Sequence, residues 1–474
     1  MHSPPPTFTM PHHTKKTQRG AALMVMLVIV VMAMAAALVS SLSSSAQKSA
    51  RQQKTAAALA QAKEALIGRA ISDDNRPGSL PCPDINDDGV VDGVAGNCTS
   101  YIGRFPWKTL ELPDIGDGDG ERLWYVLSPS FKDNPSSEPL NSVPPNLWAD
   151  PLTLGAETNV VAIIFAPGVP LSGQNGRPSN NIADHMEGEN AGSDAIYATG
   201  LASESFNDHA LSITRANLMG AVEKRVVAEA RKLLTGFYAN SSSVAASRYF
   251  PYAATLGTNS PTIGLRRGLL PVSCRFLRSG ATPNFAYTCN SSRTVDLINR
   301  SNFKFTAATG TCVSTGFPDR CQCSVGVGTC IGERINTGIA AEVRSLISLD
   351  AMQIAGNGKL TPTPADWFMD NQWERMIFFA VADGCTAAAP GCSSGTMLST
   401  SHQADLAAVV ISTGIPLAST ETKTTPQSGY PSAAVDDYLD SEENINNDEV
   451  FSMLGKARTP VYNDIVIAIP RGSL

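Results

Sequence analysis

KKTQRGAALMVMLVIVVMAMAAALV, residues 15–39, decides how the rest of this chain is read. Lys15, Lys16 and Arg19 precede Gly20, and from Ala21 to Val39 no polar side chain interrupts the apolar run. Basic residues ahead of ~19 apolar ones describe a segment that enters a membrane with its N-terminus held on the cytoplasmic side. The reading therefore predicts a single-pass inner-membrane protein whose portion beyond Val39 is periplasmic, or reaches the cell surface in an assembly. A secretory signal has its small-residue cleavage site after the apolar core. Here the clearest processing signal, Arg19-Gly20-Ala21, comes before it.

Residues Gln18 to Val39, QRGAALMVMLVIVVMAMAAALV, resemble the start of the type IV pilin and type II secretion pseudopilin family. The resemblance implies that prepilin peptidase cuts after Gly20 and that the new N-terminus, Ala21, is methylated. It implies other pilins or pseudopilins as partners, alongside the peptidase and the inner membrane. The family's usual Glu at the fifth position after the cut is replaced by Val25. That Glu is held to neutralise a neighbour's N-terminal ammonium, since an unpaired charge in lipid is costly. Its loss suggests a minor subunit at a tip or initiation position; a tip-presented adhesin and a membrane-anchored periplasmic protein are the alternatives. Met1 and Met10 are both possible starts.

No Pro falls between Pro11 and Pro77, and the stretch to about Ile71 is rich in Ala, Leu, Gln and Lys. One helix of ~50 residues, about 75 Å long, is expected, with Ala58, Leu59, Ala62, Leu66 and Ala70 near one face for packing. Short strands and Gly/Pro/Asn/Asp turns follow. A weak internal repeat runs through them. Glu121–Val126 matches Glu374–Phe379, Ala162–Leu171 matches Ala408–Leu417, and Phe206-Asn207-Asp208 matches Tyr462-Asn463-Asp464, at offsets of about 253, 246 and 256 residues.

The expected fold class is thus α+β. A leader, residues 1–20, precedes a long transmembrane spine helix, residues 21–71. Two tandem pilin-like units follow, residues 72–215 and 216–474, each a helix with a mainly antiparallel sheet. The second carries a Cys-rich insertion at about residues 274–330.

Ten cysteines, all after the apolar segment, point to disulfides in an oxidising compartment. Local pairs are expected for Cys82–Cys98, Cys274–Cys289 and Cys385–Cys392. Cys312, Cys321, Cys323 and Cys330 allow three connectivities. No His lies near them and their spacing fits no standard zinc knuckle.

The sharpest local motif is Asp84-Ile85-Asn86-Asp87-Asp88-Gly89-Val90-Val91-Asp92. Asp84, Asn86, Asp88 and Asp92 stand at positions 1, 3, 5 and 9 of an EF-hand-type loop, Gly89 is at 6, and Val90 would offer its carbonyl at 7. Position 12 is Ala95 rather than the closing Glu. Two readings fit: a calcium site of modest affinity, or an acidic turn whose side chains bond their own backbone. Asp114–Glu121 reads as a flexible acidic turn and Asp436–Glu449 as a solvated loop. Glu187 and Glu189 read as surface charge.

The 474 residues are 43% hydrophobic, enough for two or three units with cores. A net charge of −7, with basic residues scattered beyond the N-terminus, argues against nucleic acid. No GxSxG, HExxH or Walker loop occurs, so no enzyme is expected.

Overall fold

The computed structural model describes residues 19–94, 96–133, 140, 150–174, 176–192, 194–254, 256, 264–270, 367–368, 371, 373–414, 435–446, 448–452 and 462–474; from 274 to 334 it describes the strands. Helix α1 spans Arg19–Ser72. The first sheet is built from β1 (Ile102–Arg104), β2 (Trp124–Leu127), β3 (Leu152–Leu154), β4 (Glu157–Ala166), β5 (Ile196–Tyr197) and β6 (His209–Thr214). Helix α2 (Arg215–Ser241) follows β6 directly. Thr214 caps it, its hydroxyl accepting the Asn217 N–H. The second sheet comprises β7 (Arg267–Leu269), β8 (Ile377–Val381), β9 (Leu398–Thr400) and β10 (Gln403–Ser412). After the one-turn helix α3 (Glu442–Ile445) it is completed by β11 (Val450–Phe451) and β12 (Ile465–Pro470).

The two sheets have one topology. The first runs β1-β2-β4-β3-β5 with β6 on β4, and the second runs β7-β8-β10-β9-β11 with β12 on β10. Each is antiparallel except for its last pair, β3 with β5 and β9 with β11. Both long central strands carry a bulge at the same place, with Asn159 (φ 57°) in one and Asp405 (φ 62°) in the other. Asn and Asp tolerate this left-handed backbone better than other side chains. Register adjusts one of the sequence matches. Trp124 faces Phe165, and its counterpart opposite Ile411 is Phe378, not Ile377.

The helices join the sheets. Ala58, Leu59, Ala62, Leu66 and Ala70 are buried along one stripe of α1, which packs on β4, β6 and α2. Leu218, Met219, Val222, Val226, Val227, Ala230, Leu233 and Leu234 bury a much wider arc of α2, because it meets β10 and β12 as well as β4, β6 and α1. One apolar core runs through both helices and both sheets. The far face of the first sheet has a smaller core of its own, with Trp124, Val126, Ile163 and Phe165. Strands covered on both faces need apolar side chains at every position, which explains the unbroken buried run Val160–Ala166. Where α1 ends, Arg225 of α2 donates to the carbonyls of Ile71 (2.5 Å) and Asp73 (3.0 Å), satisfying acceptors that the last turn leaves open.

The membrane element of the expected fold class is corrected. Among the described residues no helix is long and apolar enough to cross a membrane, so α1 is not the transmembrane spine that the opening run suggested. The single-pass inner-membrane localisation falls on the same finding. Exposed Lys48, Arg51 and Lys54 lie further along the same helix. Beyond α1 the chain forms two half-barrel sheets sharing a core.

Candidate functional site

The Asp84–Asp92 loop is held by its own backbone. Asp84 is buried; its Oδ1 accepts from the N–H groups of Asp87 (2.7 Å) and Asn86 (3.1 Å), and its Oδ2 from Gly89 (2.6 Å). Asn86 accepts from the Asp88 N–H, Asp88 from the Val90 N–H, and Asp92 from those of Ile85 and Asn86. Burial pushes the Asp84 carboxyl up, against the pull of the Gly89 and Asp87 N–H groups. A Cβ on Gly89 (φ 86°) would fall 2.6 Å from the Trp107 ring, so only glycine fits that turn. Among the described residues no group of three or more His, Cys, Asp or Glu is placed to hold a metal ion. The calcium-binding expectation for Asp84, Asn86, Asp88, Val90 and Asp92 is corrected accordingly; Ala95 lies outside the described residues.

The other expected positions divide. Cys82 is bonded to Cys98 and Cys385 to Cys392. Cys274 and Cys289 stand opposite each other in an antiparallel ladder, as do Cys312 and Cys323, but their side chains lie outside the described set. Gly20 and Ala21 fall in the first turn of α1, the side chain of Ala21 lies outside the described set, and so do residues 1–18.

The second acidic loop is a clasp on α1. Asp117 is fully buried and accepts from the N–H groups of Asp119, Glu121 and Gly168, each at 2.9 Å. That shape brings Gly118 against the helix, where its N–H reaches Thr55 Oγ1 at 2.9 Å. A Cβ on Gly118 would sit 2.2 Å from the Arg51 carbonyl oxygen. Asp119 pairs with Arg51 at 3.1 Å. Beside the clasp lies a cleft of ≈ 350 Å³, its helical wall formed by Gln47, Lys48, Arg51 and Gln52 and its opposite wall by Val169, Asn207 and His209.

Two buried polar clusters escaped the sequence reading. Arg104 lies over the Trp124 ring at 4.4 Å, with Nη2 at 2.7 Å from the Ser179 carbonyl and 2.9 Å from His185 Nε2. Burial first, then the Arg104 charge, pulls His185 down to about 4, so it is neutral. The second cluster occurs twice. Asp208 Oδ2 accepts from the Glu187 N–H and Asn190 Nδ2, while Glu187 Oε2 accepts from the N–H groups of Asn207 and Asp208. In the other sheet Asp464 Oδ2 accepts from the Asp440 N–H and Asn444 Nδ2, and Asp440 accepts from the Asn463 N–H. Glu187 is therefore buried rather than surface charge. The repeated Asn-Asp pair was a visible signal; its partners, scattered through loops of unlike sequence, were not.

Among the described residues the longest run of exposed apolar side chains is on α1. Met26, Leu27, Ile29, Val30, Val31, Met32 and Met34 are between 52% and 72% exposed. Four consecutive residues, Ile29 to Met32, cover most of a turn at ~100° each, so the rod is bare around its circumference. In comparisons with known proteins, no family, no curated protein and no solved structure matches the chain.

Proposed function

We propose that this chain is a minor, pilin-like structural subunit of a type IV pilus or type II secretion filament, joined to its neighbours through the first half of α1. The observation that carries the reading is the apolar collar Met26–Met34, exposed on a helix whose other half is locked into the body by Ala58, Leu59, Ala62, Leu66 and Ala70. Such a surface calls for a partner, and helices of other subunits supply a matching one. Packing, not catalysis, is the mechanism. In this reading prepilin peptidase acts between Gly20 and Ala21, and Val25, which lacks the family's carboxylate, supports a tip or initiation position.

Mass spectrometry of the mature N-terminus, with and without prepilin peptidase, tests the processing step. A chain beginning at Ala21 when the peptidase is present is expected; an uncut chain in both cases defeats it. Val30→Lys should abolish co-purification with other filament subunits while leaving thermal stability unchanged, because the site carries no internal packing.

A further inference from the structure

We propose that the cleft beside the clasp docks an acidic turn from a second copy of this chain, carried by Asp436, Glu442, Glu443 and Asp448. This deepens the assembly reading and rests on it. From Arg19 to Lys63 the chain has no Asp or Glu. The middle of α1 consequently presents Lys48, Arg51 and Lys54 as exposed cations. Two of them wall the cleft, where Asp119 is the one carboxylate and already faces Arg51 at 3.1 Å. Cations and amide donors from Gln47, Gln52 and Asn207 suit carboxylate side chains. Val169, 45% exposed, gives the cleft an apolar edge beside its charged centre.

The occupant follows from charge. Residues 436–449 hold seven acids and no Lys or Arg, the densest acidic run in the chain. Glu449 pairs with Arg266 at 2.8 Å and Asp440 belongs to the buried cluster, but Asp436, Glu442, Glu443 and Asp448 face solvent. A second α1 is a poor alternative occupant, since it would bring cation against cation. The cleft belongs to the first sheet's side and the acidic turn to the second's. The contact is therefore heterologous, one copy's turn in the next copy's cleft, and it propagates unless something closes it.

Sedimentation velocity of the full chain tests this through a charge exchange. Lys48→Glu/Arg51→Glu and Glu442→Lys/Glu443→Lys should each weaken self-association about tenfold, and an equimolar mixture of the two should recover it, because each supplies the patch that the other lacks. Raising salt from about 0.05 to about 0.5 M should weaken the native protein's association. Lys48→Glu alone keeps the test available if loss of Arg51 unsettles the clasp. Variants that associate like the native chain, or a mixture no tighter than either variant, overturn the docking. If association survives charge reversal but is lost in Val30→Lys, the docking fails and the helix-mediated assembly stands; if the native chain does not self-associate, the docking fails, and the pairing of α1 with other subunits is decided separately by the co-purification of Val30→Lys.

Discussion

At the scale of single residues, the buried carboxylates set how the protein responds to pH. Asp208 is 5% exposed and pushed up to about 7, by burial first and then by the Glu187 carboxylate, against its hydrogen bonds from Asn190 and Glu187. A carboxyl raised in the folded state favours folding in its protonated form. Its contribution is complete below its unfolded value near 4 and fades as pH rises through about 7. Asp208→Asn keeps an oxygen for the Asn190 and Glu187 donors and removes the ionisation. Urea unfolding should find this variant more stable than the native chain at pH 8, by ~1 kcal/mol or more, with the difference gone by pH 4. His185 has the opposite sign: lowered to about 4, it supports the fold above 6.5 and costs stability as pH falls through 4. The Asp84–Asp92 loop shows why residue chemistry alone misled. Alternating Asp and Asn oxygens suit an inward-facing cation and a self-bonded turn equally well, and only the positions of the N–H groups separate the two.

At the scale of elements, α1 is two devices in one helix. Its buried stripe was legible because apolar residues recur every three to four positions, the helical period. Leu66→Ala, at a site with no exposed surface, should cost about 2–5 kcal/mol in denaturant unfolding. Gly118→Ala attacks the same helix from outside. With a methyl group 2.2 Å from the Arg51 carbonyl, the clasp must move away. A loss of about 1–3 kcal/mol is expected, with faster amide exchange at residues 51–55; native exchange rates there would show that the clasp does not hold the helix. The strands were harder to read. In a half-buried strand, alternation of polar and apolar residues fixes which side chains share a face. Trp124–Leu127 and Ile377–Val381 are buried at every position, so sliding one against the other by a residue leaves the pattern intact. Only the ladder partners Phe165 and Ile411 reveal that Trp124 corresponds to Phe378.

For the whole molecule, repetition and cooperativity are linked. The two sheets share a strand order, a bulge and an Asp–Asn clamp, yet one apolar core runs through both by way of α1 and α2. Calorimetry should therefore show a single transition rather than one per sheet; two resolved transitions would mean that the helices do not couple them. The order of the matching segments was visible in the sequence, because glycines, Asn-Asp pairs and apolar runs recur in sequence. The bulges were not, since a lone Asn159 or Asp405 in a strand looks like any polar residue. The encasement of α2 has a further consequence. Among the described residues only α1 keeps an exposed apolar end, so in the assembly proposed above each chain would supply one rod while filling the breadth of two. A shaft made of such chains would have to spread its rods apart, whereas a terminus imposes no such spacing.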